Sequence, residues 1–114
     1  MDNFSGLGWF QVWDFNVSHD QLLIRCAKDK DQSENVDLIF GGVFYMEIPC
    51  DLTGVRLDKP SADEITYLVG RTGIIDGLPR RYFVLCTAER RYFVGALLLK
   101  VKKNTLDYGE SSLE

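Results

Sequence analysis

The chain's one histidine, His19, lies seven residues before Cys26 and is flanked by Asp14 and Asp20. A thiol, an imidazole and a carboxylate are the parts of a nucleophilic triad, in which the imidazole takes the thiol proton and the carboxylate orients the imidazole. That chemistry needs an accessible thiol beside a base. Cys26 instead follows Leu22 and Ile24 at two-residue spacing, the pattern of a strand's buried side, and His19 falls where a hairpin should turn. No catalytic residue is assigned. Cys26, Cys50 and Cys86 are odd in number and far apart, each in an apolar context, so they read as buried free thiols. None stands within several residues of His19, and no metal site is expected. The pairs Gly6/Gly8 and Gly41/Gly42 lack the lysine of a phosphate loop and the third glycine of a dinucleotide fingerprint, so no cofactor is expected either. The carboxylates are dispersed.

Binding chemistry is the next possibility. Arg-Arg-Tyr-Phe-Val occurs twice, from Arg80 and from Arg90, and basic pairs beside aromatics suit a nucleic-acid groove. The same runs suit an antiparallel hairpin over 80–102, with Arg80-Arg81 starting the first arm and Arg90-Arg91 at the turn. The two pairs then lie at opposite ends, roughly 20 Å apart at about 3.3 Å per residue, and build no joint patch. A three-residue turn over 87–89 would set Phe83 opposite Phe93 and Val84 opposite Tyr92. The aromatic motif of RNA-recognition domains is also missing its glycines here, so nucleic acid is not expected as a partner.

What remains is a set of candidate partner-binding residues: Trp9 and Trp13 in the aromatic run "GWFQVW", the carboxylates Asp29, Asp31 and Glu34 in the charged loop "KDKDQSEN", and Tyr45. Exposed aromatics anchor protein interfaces, and carboxylates steer toward basic partners. A protein partner or a second copy of the chain is expected, in the manner of a small interaction module or of an acidic inhibitor of a basic enzyme. A curled sheet holding a small apolar ligand among Phe40, Phe44, Met46, Phe83 and Phe93 is the other reading, with an enzyme third.

The elements that must carry these residues follow from the hydrophobic period. Residues 9–27 read as a hairpin turning near Ser18–Asp20, with Trp13, Phe15 and Val17 on one side of the first strand. In 36–48 the even positions are Val36, Leu38, Phe40, Phe44, Met46 and Ile48. That register runs unbroken through Gly41-Gly42, which predicts one bent strand rather than a two-residue turn. A short strand is expected around Val55–Leu57. Ser61 with Glu64 three residues on forms a capping box, predicting a helix from Ser61 to about Val69 stopped by Gly70, with a strand over "EITYLV" as the alternative.

A chain of 114 residues, 46% apolar and 26% charged, suits one domain with its own core. The fold class expected is α+β, predominantly antiparallel: a curled or barrel-like sheet of about five or six strands with one short helix. The domain is placed at 1–108. Residues 109–114 read as a disordered tail, with Leu113-Glu114 resembling what an affinity tag leaves behind. No apolar run approaches the roughly 20 residues that span a bilayer, and the first residues lack a secretory pattern, so no membrane role and a cytoplasmic location are expected. Net charge is −4, yet residues 1–60 sum to −5 and residues 71–103 to +6. Whether the two halves neutralise each other depends on which strands pair.

Overall fold

The rings of Phe40 and Phe83 meet edge to face with centroids 5.5 Å apart in the computed structural model, which describes residues 4–73 and 81–113. Their strands are β3 (Asn35–Gly41) and β6 (Arg81–Cys86). The others are β1 (Ser5–Asn16), β2 (Gln21–Cys26), β4 (Tyr45–Glu47), β5 (Asp51–Asp58), β7 (Arg91–Ala96) and β8 (Leu98–Asn104), with a single helix α1 (Ala62–Thr72) among the described residues. All pairings are antiparallel, in the order β4-β7-β6-β5-β1-β2-β3-β8. β6 and β3 stand four places apart in that order. In a flat sheet they would lie about 19 Å apart at ~4.8 Å per strand, so ring contact requires the sheet to fold over on itself.

The fold-over is made by two bent chain runs. β3 continues into β4, and β7 into β8, so the first run pairs with the second along its whole length: β3 with β8, then β4 with β7. Eight hydrogen-bonded strands thus come from six continuous stretches of chain, and the sheet curls without closing into a barrel. Both bends use glycine. Gly42 has φ +64, and a Cβ there would stand 2.6 Å from Leu97, while a Cβ on Gly95 would stand 2.7 Å from the Phe44 ring. The bent strand read through Gly41-Gly42 is therefore present as β3–β4.

Inside the curl lie Phe10, Leu22, Ile24, Leu38, Phe40, Leu57, Phe83, Leu85 and Val94. The outer side of β6 and β7 carries a second cluster, Leu68 of α1 against Val84, Cys86 and Phe93. The 86–91 turn decides this division. It holds four residues, closed by the Thr87 amide donating to the Arg90 carbonyl, with Thr87 Oγ1 accepting from the amides of Glu89 and Arg90. Phe83 consequently faces Val94, and Val84 faces Phe93, one residue away from the register of a three-residue turn. Phe83 and Phe93 fall on opposite sides of the sheet.

The helix begins as expected: Ser61 caps it, its hydroxyl accepting from the Glu64 amide while the Glu64 carboxylate accepts from the Ser61 amide. It runs past Gly70 and ends at Gly73, whose φ of 82 suits only glycine. The first strand departs further from expectation. β1 starts at Ser5, and a bulge between Val12 and Asp14 shifts the alternation after Trp13, so Trp13, Phe15 and Val17 do not share a side. Phe15 packs on the core, and Val17 is exposed in the 17–20 turn. Cys50 also corrects the reading of three buried thiols: it is exposed, whereas Cys26 and Cys86 are buried. Arg80 and Glu114 lie outside the described residues.

The glycines yield a paired test by chemical denaturation. Gly70 is exposed on α1 with open space at its Cβ position, so Gly70→Ala should raise stability by about 0.5–1 kcal/mol. Gly95→Ala drives a methyl into Phe44 and should cost about 1–3 kcal/mol.

Candidate functional site

The outer face of the five strands β5-β1-β2-β3-β8 carries a polar row set by strand register. Lys102 lies opposite Asp37, Asp37 opposite Arg25, Arg25 opposite Gln11, and Gln11 opposite Asp51. At its centre Arg25 and Asp37 form a two-pronged ion pair, Nε to Oδ1 at 2.7 Å and Nη2 to Oδ2 at 3.0 Å, with side chains 1% and 0% exposed. Residues 105–113 cover it. Arg25 Nη1 donates to the Glu110 carbonyl at 2.7 Å, Ser112 Oγ donates to Asp37 Oδ2 at 2.8 Å, and Asn104 Nδ2 donates to the same oxygen at 2.7 Å. Asn35 donates to the Leu106 carbonyl, Lys28 to that of Thr105, and Tyr108 meets Trp13 edge to face at 5.0 Å. The stretch read as a tail from 109 therefore packs here, with Trp13 held between Tyr108 and the Arg25 guanidinium. Burial pushes the Asp37 carboxyl up, but the bonds from Arg25, Asn104 and Ser112 outweigh it and hold the group below its ordinary value.

Towards β5 the same face is open. Gly6 and Gly8 turn their missing side chains inward, toward Phe10 and Cys26, so Leu7 and Trp9 between and after them project outward, 92% and 54% exposed. The β1–β5 ladder skips between Gly6 and Trp9, and opposite the skip Gly54 adopts φ +69. This irregularity opens a cleft of about 390 Å³ lined by Leu7, Gly54, Val55, Arg56, Thr87 and Ala88, among others. An exposed leucine and tryptophan beside an arginine and a glycine-floored cleft are the ingredients of a protein-contact hot spot.

Two further clusters join α1 to the sheet. Glu47 Oε1 accepts from the hydroxyls of Tyr45 and, at 2.8 Å, Tyr67, and Arg71 stacks over the Tyr67 ring at 5.8 Å. Burial raises the Glu47 carboxyl, but the two phenols and the charges of Arg71 and Arg90 together outweigh it, and the net shift is downward. The bond to Glu47, together with burial, shifts Tyr67 upward. Arg91 reaches Glu64 at 2.7 and 2.8 Å, Asp58 at 2.9 Å and the Lys59 carbonyl at 3.1 Å, binding the helix start to β5. Both clusters tie the helix to the sheet by side-chain hydrogen bonds, which gives them the role of staples.

The candidate residues are thus spread over three places. Trp9 is open and Trp13 covered, on the same strand. Asp29, Asp31 and Glu34 sit in the β2–β3 loop, where Asp29 Oδ1 accepts from the amides of Asp31 and Gln32 and shapes the turn. Tyr45 belongs to the Glu47 staple. Cys26 lies in the core and His19 in the 17–20 turn, at opposite ends of β2, which at about 3.3 Å per residue is ~17 Å long. The five residues proposed to line a ligand cavity do not share a face: Phe40 and Phe83 are inside, Phe93 is outside under α1, and Met46 is exposed. Leu7 was missed because flanking glycines hid its alternation with Trp9.

Asp37→Ala strands Arg25 without its counter-charge and should cost about 3 kcal/mol, the low end for a broken buried pair because residues 105–113 can lift and let water in. Since the folded carboxyl titrates below its ordinary 3.8, its contribution is complete above that pH and disappears as pH falls through the lower folded value. Urea titrations between pH 2 and 7 should show this part of the acid destabilisation missing in Asp37→Asn. Comparison with protein-family models, curated proteins and solved structures returns no match.

Proposed function

We propose that the protein is a protein-binding domain whose contact face is the outer side of β1 and β5 around Leu7 and Trp9. The observation that carries this reading is the outward projection of both side chains, 92% and 54% exposed, beside the Arg56-flanked cleft. Leaving a leucine and a tryptophan adjacent in water forgoes burial worth about 1.5–3 kcal/mol for a side chain of leucine size and more for an indole, which a partner can recover. The neighbouring Trp13 supplies an internal comparison, since the chain covers that indole with its own Tyr108 and Arg25 and leaves Trp9 free to engage another surface.

A photo-crosslinker placed at Leu7, used in the protein's native cell extract, should give one or a few discrete adducts that disappear on Trp9→Ala with the fold unchanged. A self-adduct alone would make the partner a second copy. Adducts that survive Trp9→Ala but vanish on Asp31→Asn/Glu34→Gln would move the contact to the acidic loop and favour a basic partner. No adduct at all would overturn the reading.

A further inference from the structure

We propose that the free edge of β8 accepts an added strand from an acidic, extended segment of a partner protein. β8 stands at the end of the sheet order and, among the described residues, hydrogen-bonds only to β3, so no described strand occupies its other backbone edge. An open edge is a template for one more strand. The chain's last described stretch does not cover it: after Asn104 residues 105–113 turn across the outer face over β3, β2 and β1.

The side chains of β8 define the occupant. Leu99 and Val101 lie opposite Phe40 and Leu38 and so point to the core side, which places Lys100 and Lys102 on the outer side. Lys100, Lys102 and Lys103 are exposed, and none is ion-paired with a described residue. At the start of the edge Leu97 and Leu98 are 42% and 44% exposed. The edge therefore reads apolar, then basic. A strand that matches it carries carboxylates at two-residue spacing over Lys100 and Lys102, with apolar residues between them and an apolar end beside Leu97-Leu98.

A second copy fits poorly. Antiparallel self-pairing centred on Val101 sets Lys100 of one copy against Lys102 of the other, and parallel in-register pairing sets each lysine beside its like, both repulsive. The lysines that discourage self-association are the same ones that attract an acidic strand. This surface is separate from the Leu7–Trp9 face, so either proposal can stand if the other fails.

The test is an amide NMR titration of the full ¹⁵N-labelled chain with a blocked heptapeptide of alternating valine and glutamate. The expected result is shift changes and new exchange protection concentrated in 98–104, with at least a tenfold weaker Kd in Lys100→Glu/Lys102→Glu that keeps the wild-type spectrum elsewhere. A valine–lysine peptide should not bind. The glutamate peptide N-methylated at alternate backbone amides should also fail, because strand addition needs those donors. Equal binding of the N-methylated form would show charge attraction without a strand and overturn the proposal. So would no binding at millimolar peptide, changes centred away from 98–104, or dimerisation of the free chain through this edge.

Discussion

Arg25 and Asp37 sit side by side on adjacent strands, on the side of the sheet away from the core, with almost no exposure. Two charges in that position need either water or a complete set of hydrogen-bond partners, because desolvating each costs several kcal/mol that Coulomb attraction alone repays poorly. The chain supplies the partners: Asn104, the Glu110 carbonyl and Ser112 complete the pair, and Trp13 and Tyr108 shield it. Several features follow from this demand. A one-residue slip of β2 against β3 would carry one charge into the core, so the pair locks that register. Trp13 follows Trp9 and Gln11 on the outer side, where its ring reaches the guanidinium, and the bulge at Val12/Asp14 then turns Phe15 to the core. The path of residues 105–113 is set by the same bonds.

The curl of the sheet answers a different constraint. A single sheet of this length buries only one face unless it folds over, and two glycine bends do this by letting Leu97 and the Phe44 ring approach backbone that a side chain would obstruct. The fold-over encloses Phe40 and Phe83, and the four-residue turn at 87–90 turns Phe93 outward, where it requires a cover. α1 is that cover, fixed at its start by the Ser61–Glu64 box and by Arg91. Bending β7 into β8 has one more result. β7 is paired on both edges, to β6 and β4, but past the bend β8 keeps only β3 among the described strands.

Much of this was legible in the residues. The even-numbered apolar series located the run that bends at Gly41-Gly42, although the alternation breaks there, Val43 turning to the core and Phe44 to Tyr82. Ser61 and Glu64 located the helix start, since a capping box is local chemistry. The helix end was misplaced because Gly70 and Gly73 are equally plausible stops by type, and only Gly73 adopts a positive φ. The hairpin register depended on Thr87, whose hydroxyl recruits an extra residue into the turn, a choice among turn lengths that composition does not encode. Arg25 and Asp37 were each readable as pointing away from the core, but their meeting depends on which strands pair, and their burial on a segment seventy-odd residues later in the chain. Trp13 and Trp9 looked alike in sequence for the same reason: what separates them is Tyr108, a long-range partner of only one.

The contrast between those two tryptophans also orders the surfaces by physics. At Arg25 and Asp37 the chain has spent residues 105–113 on covering the outer face, and where that face is apolar, at Leu7 and Trp9, it has left side chains in water. A partner docking on Leu7 and Trp9 gains mainly from apolar burial, which salt does not screen, whereas a strand added at Lys100 and Lys102 gains part of its attraction from exposed charges that fade beyond about 8 Å at physiological ionic strength. The uneven charge of the sequence reaches the same place. β3 and β8 bring the acidic and basic halves together, and Asp37, the acid facing Lys102, is already committed to Arg25. The positive end of the polar row is therefore left without a counter-charge at the rim of the sheet, where only a group from outside the described chain can supply one.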